Sequence, residues 1–363
     1  MDRAKAYSAC KYGISIAETV YLLAVLVFFA LSGASNAVAG LSARAPSPAA
    51  FAVYLFIVSL GYSILNFPLS FYQSYVLERN FSLSKQSLPD WFKDQLKAGA
   101  LYYVVSFALF SAFYYLVGAC ERHWWLIVSL VWIFFNILAA RLLPVIIIPL
   151  FFKSRPLQDE GLKARITGLA EKMRVKILDV FEIDFSKKTL KANAALVGMG
   201  NTRRVLLADT LKDKYTHDEI ESILAHEFAH YKLRHILKLI VINSFATLLT
   251  FYIIYCSNGY FLKLFRMSSL KDIAAFPLVL IYFILFGLVT GPFTNLVSRH
   301  FEKDADKMAL DVTGSKSSFI SMMEKLASQN LADRNPSLLI KIFFFDHPPI
   351  DDRIRLARGR VPS

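Results

Sequence analysis

Cysteine is scarce in this chain of 363 residues, and its three cysteines, at positions 10, 120 and 256, lie far apart. So few and so widely spaced cysteines indicate neither a disulfide framework nor a cysteine-based zinc site. Charged residues are also few, at 19%, whereas 55% of the residues are hydrophobic and 14% are aromatic. These proportions exclude an ordinary soluble protein and indicate an integral, multi-pass membrane protein.

The N-terminus has basic residues before a long apolar run but no small-residue cleavage site, so we expect a retained membrane span there and not a signal peptide. The chain has 41 Lys and Arg against 28 Asp and Glu, a formal charge of +13. In membrane proteins such an excess usually flanks spans that face anionic lipid. Because the sequence contains neither a basic recognition helix nor a basic patch interleaved with aromatics, we expect the lipid bilayer as a partner and no nucleic acid.

Six apolar runs reach the roughly 20 residues that a helix needs to cross the hydrocarbon core. They occupy residues 14–33, 50–76, 98–119, 124–150, 236–262 and 273–297. An even number of these runs separates the N-terminus, residues 79–97, the polar block 153–235 and the tail 298–363, so all four are expected on one side of the membrane. The distribution of Lys and Arg among the short loops favours the cytoplasmic side, which is the endoplasmic reticulum surface in a eukaryote and the inner-membrane surface in a bacterium.

An H-E-x-x-H pentapeptide extends from His226 to His230 in a segment that reads as helix from about Thr216. Because residues four apart share a helix face, the two histidines can present their imidazoles to one Zn²⁺, with Glu227 beside them as a general base. Thr216 and Glu219 have the spacing of a capping box. The apolar stripe of the helix comprises Ile220, Ile223, Leu224 and Phe228. The pentapeptide alone can occur by chance, and these flanks favour a zinc hydrolase.

A third metal ligand is expected from the tail, because the last two apolar runs form a hairpin that returns the chain to the side of the pentapeptide. The tail begins with a charged stretch, and Glu302 is our candidate ligand within it. Asp306 lies one helical turn later, where it can hydrogen-bond a ligand histidine, and Arg299 lies one turn earlier on the same face. The alternative interpretation of this stretch is a solvated charge run at the exit from the membrane.

Five stretches, in this order, resemble the integral-membrane zinc endopeptidases of the CAAX prenyl protease type, which are gluzincins. They are residues 184–188, residues 193–194 with 198–211, the pentapeptide helix, residues 299–306 and residues 347–353. The resemblance extends over most of residues 50–358. It implies that His226, His230 and Glu302 bind one Zn²⁺ per chain and that Glu227 activates the attacking water.

The resemblance also implies how a peptide or protein substrate is held. In the family, the strand that corresponds to Asn193, Ala194 and Ala195 pairs with the substrate backbone. The histidine and arginine of the His-Pro motif, here His347 and Arg353, polarise the scissile carbonyl and support the site. The eukaryotic members act on prenylated CAAX proteins, and their helices enclose a large water-filled chamber.

Three departures from the family pattern concern the number of spans and the substrate. The family usually has seven spans, and the first has no counterpart among the six runs, so the resemblance implies a shortened N-terminus. Asn193 is followed by two alanines, where eukaryotic members have alanine and tyrosine, and a histidine common just upstream is replaced by Lys191. The polar insertion before the metal-binding helix is reduced to residues 212–218. A prenylated substrate is therefore not assumed.

The expected fold is an all-α polytopic membrane protein, a hollow barrel of about six helices, with a small α/β zincin-like catalytic element at the membrane surface. Its α/β part should lie around residues 177–209. Four regions are expected along the chain. They are transmembrane helices one to four (1–150), a catalytic region with the substrate strand and the pentapeptide helix (151–235), the transmembrane hairpin (236–297), and a second catalytic region with Glu302 and the His-Pro motif (298–363).

Two other classes of protease and one non-enzymatic class are alternatives. The principal alternative is a quality-control membrane zinc protease with no prenyl requirement. A site-two-type intramembrane protease is less favoured, because its motif lies inside a span whereas charged residues surround this one. The complete ligand set with Glu227 disfavours a receptor or transporter that contains the pentapeptide by accident.

Several polar residues lie outside these motifs. Glu18 is expected to snorkel from the first span, and Arg141 is hypothesised to line the chamber, the alternative being an interfacial arginine. His235 and the remaining histidines outside the motifs are expected at the surface or the membrane interface.

Overall fold

The computed structural model describes residues 2–44, 49–198 and 203–359, so residues 199–202 of the 198–211 motif lie outside the described residues. Within the described ranges, six helical runs are long and apolar enough to cross a membrane, which confirms the expected number. They are Arg3–Leu31, Ala49–Asn80, Leu88–Ala119, Trp124–Leu142, His235–Leu264 and Ile273–Thr313.

The long helices are α1 (Arg3–Leu31), α3 (Ala49–Phe71), α5 (Leu88–Ala119), α6 (Trp124–Phe151), α10 (His235–Leu264) and α11 (Phe276–Thr313). The shorter helices are α2 (Ala34–Ser42), α4 (Leu77–Asn80), α7 (Glu160–Lys172), α8 (Asp209–Lys212), α9 (His217–Lys232), α12 (Lys316–Gln329), α13 (Leu338–Phe344) and α14 (Ile350–Ala357). A π-helical turn at Tyr72–Val76 joins α3 to α4. Helix α11 continues without a break past residue 297, where the sequence placed a boundary between hairpin and tail.

The N-terminal end of α1 meets the catalytic region, as the counting of spans predicts. The Arg3 guanidinium donates to the carbonyl of Phe81 at 2.6 Å. Lys191 of the polar block donates to the hydroxyl of Tyr7 at 2.9 Å. The hydroxyl of Ser8 contacts the tail, since it donates to a backbone carbonyl at position 331 at 3.3 Å. These contacts place the N-terminus, the 79–97 segment, the polar block and the tail at one end of the helix bundle, and their common side of the membrane stays a prediction.

The opposite end of the helix bundle is closed by large buried side chains. Phe51, Phe113, Trp124 and Phe276 belong to one core there and are at most 8% exposed. Rings of this size have a large apolar surface to bury, so they seal the bundle at the end remote from the catalytic element.

A cavity of about 430 Å³ lies between α6, α10 and α11. Its polar lining comprises Asn136, Asn243, Ser244, Thr247, Thr250 and Thr290. Polar side chains within spans face a bundle interior or water, because in hydrocarbon their hydrogen-bonding groups would be unsatisfied. This lining fits the expected hollow barrel.

Two charged residues within spans have different surroundings. Arg141 is exposed and directly follows Ala140, which lines the cavity, so its chamber-lining role stays a hypothesis. Glu18 was expected to snorkel, and this stays a prediction. Its side chain is partly buried, and its Oε1 accepts a hydrogen bond from Nδ2 of the buried Asn66 of α3 at 2.8 Å.

The α/β element contains a four-stranded sheet with strands β1 (Ser154–Pro156), β2 (Asp179–Ile183), β3 (Ala194–Val197) and β4 (Arg204–Ala208). Their spatial order is β1-β2-β4-β3, with β2 and β4 parallel and the other two pairs antiparallel. Ala194 pairs with Leu207 and Val197 with Arg204. The sheet confirms the α/β prediction for residues 177–209, and β1 is an additional strand that the sequence did not predict.

Candidate metal centre

Helix α9 presents the pentapeptide because its opposite face and its N-terminus are both fixed. The Thr216 and Glu219 pair forms the complete capping box, with the backbone N–H of Thr216 donating to the Glu219 carboxylate at 2.8 Å and that of Glu219 donating to the Thr216 hydroxyl at 3.3 Å. Ile220, Leu224 and Phe228 are at most 1% exposed in the core of the α/β element. The helix is therefore held in one rotation about its axis, and the two histidines project from the remaining face.

Helix α11 brings the third group of the cluster. It packs against α9 through small residues, and Ala305 and Ala309 are 0% exposed at this contact. Glu302 Oε2 lies 3.2 Å from His226 Nε2, and Glu302 Oε1 lies 3.1 Å from His230 Nε2. The two histidine Nε2 atoms are 3.0 Å apart. The structure thus brings together all three ligands predicted from the sequence, within 4.8 Å of one another.

The chemistry of these side chains fits one divalent metal ion. Two imidazoles and a carboxylate form the donor set of many catalytic zinc sites. Glu302 is 4% exposed, and its Oε2 has no hydrogen-bond partner within the described part of the chain. A buried carboxylate oxygen without a partner is costly, and a cation between the carboxylate and the two Nε2 atoms would compensate it.

The buried ion pair of Asp306 and Arg353 contacts His226 at its Nδ1, the ring nitrogen remote from the cluster. Its Nδ1 lies 2.9 Å from Oδ1 of Asp306, which is 0% exposed. Arg353 donates to the same carboxylate from Nε at 2.8 Å and from Nη2 at 2.6 Å. The Nδ1–H of His226 therefore donates to Asp306, and the lone pair of Nε2 is directed at the cluster. Arg353 itself is 8% exposed and lies behind the histidine, in a supporting position.

His347 also contacts Glu302. Its Nε2 is 3.2 Å from Glu302 Oε1, and its Nδ1 is 2.7 Å from the carboxylate of Asp346. Burial lowers the pKa of His347, but the hydrogen bond with Asp346 and the charge of Glu302 outweigh it and raise the pKa above its ordinary value. About half of this side chain, 53%, is exposed, so the imidazole can meet a substrate.

Arg299 lies on the buried face of α11 with Glu302 and Asp306, as expected, but its guanidinium contacts groups outside the cluster. Its Nη1 donates to the backbone carbonyls of Lys341 at 2.9 Å and of Phe345 at 2.5 Å. The side chain is 8% exposed. Arg299 therefore links α11 to α13 and to the residue that follows α13, two positions before His347.

His235 is a residue of the site that sequence reasoning missed. It was expected at the surface, yet it is 1% exposed, and its Nδ1 lies 3.0 Å from Nδ1 of His230. Its ring stacks on Phe301 with centroids 4.5 Å apart and planes 7° from parallel. Each ligand histidine thus has a partner on its Nδ1. His235 follows His230 by five residues, but this spacing predicts a contact only when the bend between α9 and α10 is known.

Glu227 is next to His226 on the partly exposed face of α9. Burial raises the pKa of its carboxyl, the neighbouring imidazoles of His226 and His230 lower it, and the net direction is upward. A carboxyl group with a raised pKa beside a metal cluster suits proton transfer at neutral pH.

The residues predicted to pair with substrate lie at an edge of the sheet. Ala194 and Ala195 belong to β3, which pairs with β4 on one side and has no strand on its other side within the described sheet. Asn193 directly precedes β3, and its carbonyl accepts a hydrogen bond from the N–H of Ala208 at 3.0 Å. Edge strands offer free backbone groups to an extended peptide. Because β3 also packs on the core of α9, this edge runs beside the helix that carries the two histidines.

Six membrane-spanning helices and a buried His-His-Glu cluster with an adjacent glutamate define an integral-membrane metalloendopeptidase. Comparison with protein families agrees with this class. The model of peptidase family M48 matches residues 156–361. The model described as CAAX prenyl protease N-terminal, five membrane helices, matches residues 1–153. The chain belongs to peptidase family M48.

The similarity to individual relatives extends over most of the chain. This chain is 30% identical over 312 residues to the uncharacterized metalloprotease YhfN of Bacillus subtilis. The aligned region covers 84% of this chain and 72% of the relative. It is 29% identical over 322 residues to CAAX prenyl protease 1 of Saccharomyces cerevisiae, with 83% and 70% covered. The crystal structure of S. mikatae Ste24p superimposes with a TM-score of 0.87 at 25% identity and covers 98% of this chain and 88% of that one. The similarity therefore includes both the membrane helices and the catalytic element.

Proposed function

We propose that this metalloendopeptidase uses one Zn²⁺ per chain, held by His226, His230 and Glu302. The observation that carries the proposal is the convergence of Glu302 from α11 with two imidazoles from α9, at 3.2 and 3.1 Å. When bound, Zn²⁺ supplies Lewis-acid polarisation of the scissile carbonyl and lowers the pKa of water toward 7.

Residues of this chain transfer the proton, stabilise the developing negative charge and align the substrate. Glu227 accepts the proton of the attacking water and passes it to the leaving amine, since it has a raised pKa and lies next to a metal ligand. His347 donates a hydrogen bond to the oxygen on which negative charge develops, and Asp346 keeps its ring oriented and its Nδ1 protonated. The edge of β3 aligns the substrate backbone through Asn193, Ala194 and Ala195.

Arg353 and Arg299 act through other residues. With its Nε and Nη2 on Asp306, Arg353 orients His226. Arg299 positions His347 through the backbone that precedes it. We assign both as positioning residues, which refines the carbonyl-polarising role that the resemblance implied for Arg353.

For the substrate, we propose proteins cleaved near a C-terminus at the cytoplasmic face of the membrane. The relative from Saccharomyces cerevisiae is named CAAX prenyl protease 1, which supports a prenylated substrate. The alternative is quality-control proteolysis with no prenyl requirement, and the alanine at position 195 favours it, because the family's tyrosine is absent from the substrate strand. A site-two-type mechanism is not supported, because α9 lies in the α/β element and not within a span.

The test compares purified wild type with Glu227→Gln on a farnesylated CAAX peptide and on the same peptide without lipid, with zinc content measured in both proteins. We expect wild type to cleave, and the variant to lose about 10²- to 10⁴-fold in kcat while keeping its zinc, because only the general base is removed. Equal cleavage of the two peptides by wild type would select the quality-control alternative. Cleavage by the zinc-loaded variant at the wild-type rate would overturn the mechanism.

A further inference from the structure

A cavity of about 580 Å³ connects the site to the N-terminal helix. Its lining includes His347 and Arg353 of the candidate site together with Lys11 and Lys191. Cavities of this volume are in the range of ligand-binding pockets. The wall formed by α1 consists of Tyr7, Ser8, Lys11, Tyr12 and Ser15. These five residues share one face of α1, and their polar groups make this face suited to a polar occupant.

The two lysines of this cavity share a single carboxylate. Lys191 Nζ lies 2.9 Å from Glu78 Oε2 and 3.0 Å from Glu78 Oε1, and Lys11 Nζ lies 4.0 Å from the same Oε1. Tyr7 bridges the group, because its hydroxyl donates to Glu78 and accepts from Lys191 at 2.9 Å. Lys11, Lys191 and Glu78 together carry two positive charges and one negative charge, and the side chains of Lys11 and Lys191 are 40% and 27% exposed. This group is therefore accessible from the cavity, and its net positive charge favours an anion.

The direction of β3 determines which end of a paired substrate lies near Lys191. Strand β3 runs from Ala194 to Val197, and Lys191 lies just before its start. Antiparallel pairing is the more stable arrangement for an added strand, and it would make the substrate run from the end of β3 toward position 191. The C-terminal residues of the substrate therefore approach Lys191.

We propose that Lys191 and Lys11 form a subsite for the free C-terminal carboxylate of the peptide substrate. This rests on the proposed endopeptidase function and adds the feature that selects bonds close to a chain end. Two further carboxylates line the cavity. Asp346 is paired with His347, and Asp333 accepts a hydrogen bond from the backbone N–H of Asn335 at 3.2 Å.

The test uses two fluorogenic peptides of one sequence, one ending in a carboxylate and the other in a carboxamide. For wild type we expect kcat/KM to be about tenfold higher for the acid, mainly through KM, because a charge-assisted contact is lost with the amide. Lys191→Met should reduce this preference to about twofold or less, while Lys191→Arg should keep most of it because the positive charge remains.

A matched control lies in the same loop. Lys187→Met removes a positive charge whose partner is Asp184 and which does not line the cavity, so the acid preference should stay at the wild-type value. If Lys191→Met does not fold, Lys11→Met is the second variant, and it should reduce the preference by about threefold.

Three results would overturn the proposal. Equal cleavage of acid and amide by wild type would remove the carboxylate subsite while leaving the endopeptidase intact. An undiminished preference in folded Lys191→Met and Lys11→Met would remove the assignment to these lysines. Cleavage of neither peptide by zinc-loaded wild type would instead reject the proposed function, and the subsite with it.

Discussion

At the scale of single residues, each group of the metal cluster has a neighbour that fixes its orientation. Asp306 accepts from His226, and His235 lies at 3.0 Å from the Nδ1 of His230. His347 contacts Glu302 on the side that faces the substrate. Such partners determine which ring nitrogen keeps its lone pair for a metal, and their loss typically lowers metal affinity.

The first residue-scale prediction concerns His235. The substitution His235→Phe keeps the ring that stacks on Phe301 but removes the nitrogen beside His230, so zinc affinity should fall about 10- to 100-fold. Competition with a chromophoric chelator measures this affinity directly and needs no turnover. His123→Phe is the control, because His123 precedes α6 at the opposite end of the bundle. An unchanged affinity in folded His235→Phe would contradict the supporting role.

The candidate ligands could be predicted from the sequence, but His235 could not, because its position depends on the backbone conformation of one residue. His226 and His230 are four residues apart on one helix, so their common face follows from helical geometry alone. His235 reaches His230 only because Arg234 adopts a left-handed conformation with φ of 56° between α9 and α10. A non-glycine residue in this region is uncommon and carries no clear sequence signal.

At the scale of elements, the N-terminus of α9 determines where the pentapeptide points. Glu219 completes the capping box, and its carboxylate also accepts from Lys325 and from Ser321 of α12, at 2.6 Å each. Burial raises the pKa of Glu219, but these hydrogen bonds outweigh it and the pKa is lowered. The side chain therefore couples α9 to α12 in its ionised form.

The corresponding prediction is that Glu219→Ala lowers the free energy of unfolding by about 1–2 kcal/mol at pH 7, which is the cost of a lost helix cap. Because the folded-state pKa is depressed, this contribution is present above the ordinary value of 4.5 and is lost as the pH falls through the folded-state value. The difference between wild type and variant in detergent should thus shrink in acid. Glu171→Ala, at an exposed position of α7, is the control. A difference that grows on acidification would contradict the account.

Element boundaries were predicted less well than element types, and α11 shows why. Its apolar run ends near residue 297, yet the helix continues to Thr313 with Glu302 and Asp306 on its buried face. Hydropathy detects where the lipid contact ends, whereas the helix itself is stabilised further by packing on α9. Because one helix continues from the span into the α/β element, it carries Glu302 directly from the membrane to the site.

At the scale of the whole molecule, the catalytic element, the 79–97 segment and the N-terminus lie at one end of the bundle. The other end is defined by contacts such as the ion pair between Lys271 and Glu121 at 3.1 Å. The even number of spans between the catalytic segments made this arrangement predictable. A hollow bundle was expected from the resemblance, but the residues that line the cavity between α6, α10 and α11 could not be predicted, because they depend on which helix faces meet.

Sidedness can be measured in a chain whose three native cysteines are replaced by serine. Lys187→Cys and Glu121→Cys place single thiols at side chains that are 66% and 83% exposed. In sealed, right-side-out cells a membrane-impermeant thiol reagent should label only position 121, and after lysis it should label both, because the catalytic end is expected to be cytoplasmic. Labelling of position 187 in intact cells would reverse the orientation.

The central claim is that two imidazoles before a membrane hairpin and one carboxylate after it hold a single metal ion. The most direct measurement is the zinc content of purified wild type and Glu302→Ala after dialysis against a weak chelator. Wild type should retain about one zinc per chain, and the variant should retain almost none although it remains folded, because two imidazoles alone bind zinc too weakly. Full zinc occupancy in Glu302→Ala, or a folded wild type that binds none, would contradict the claim.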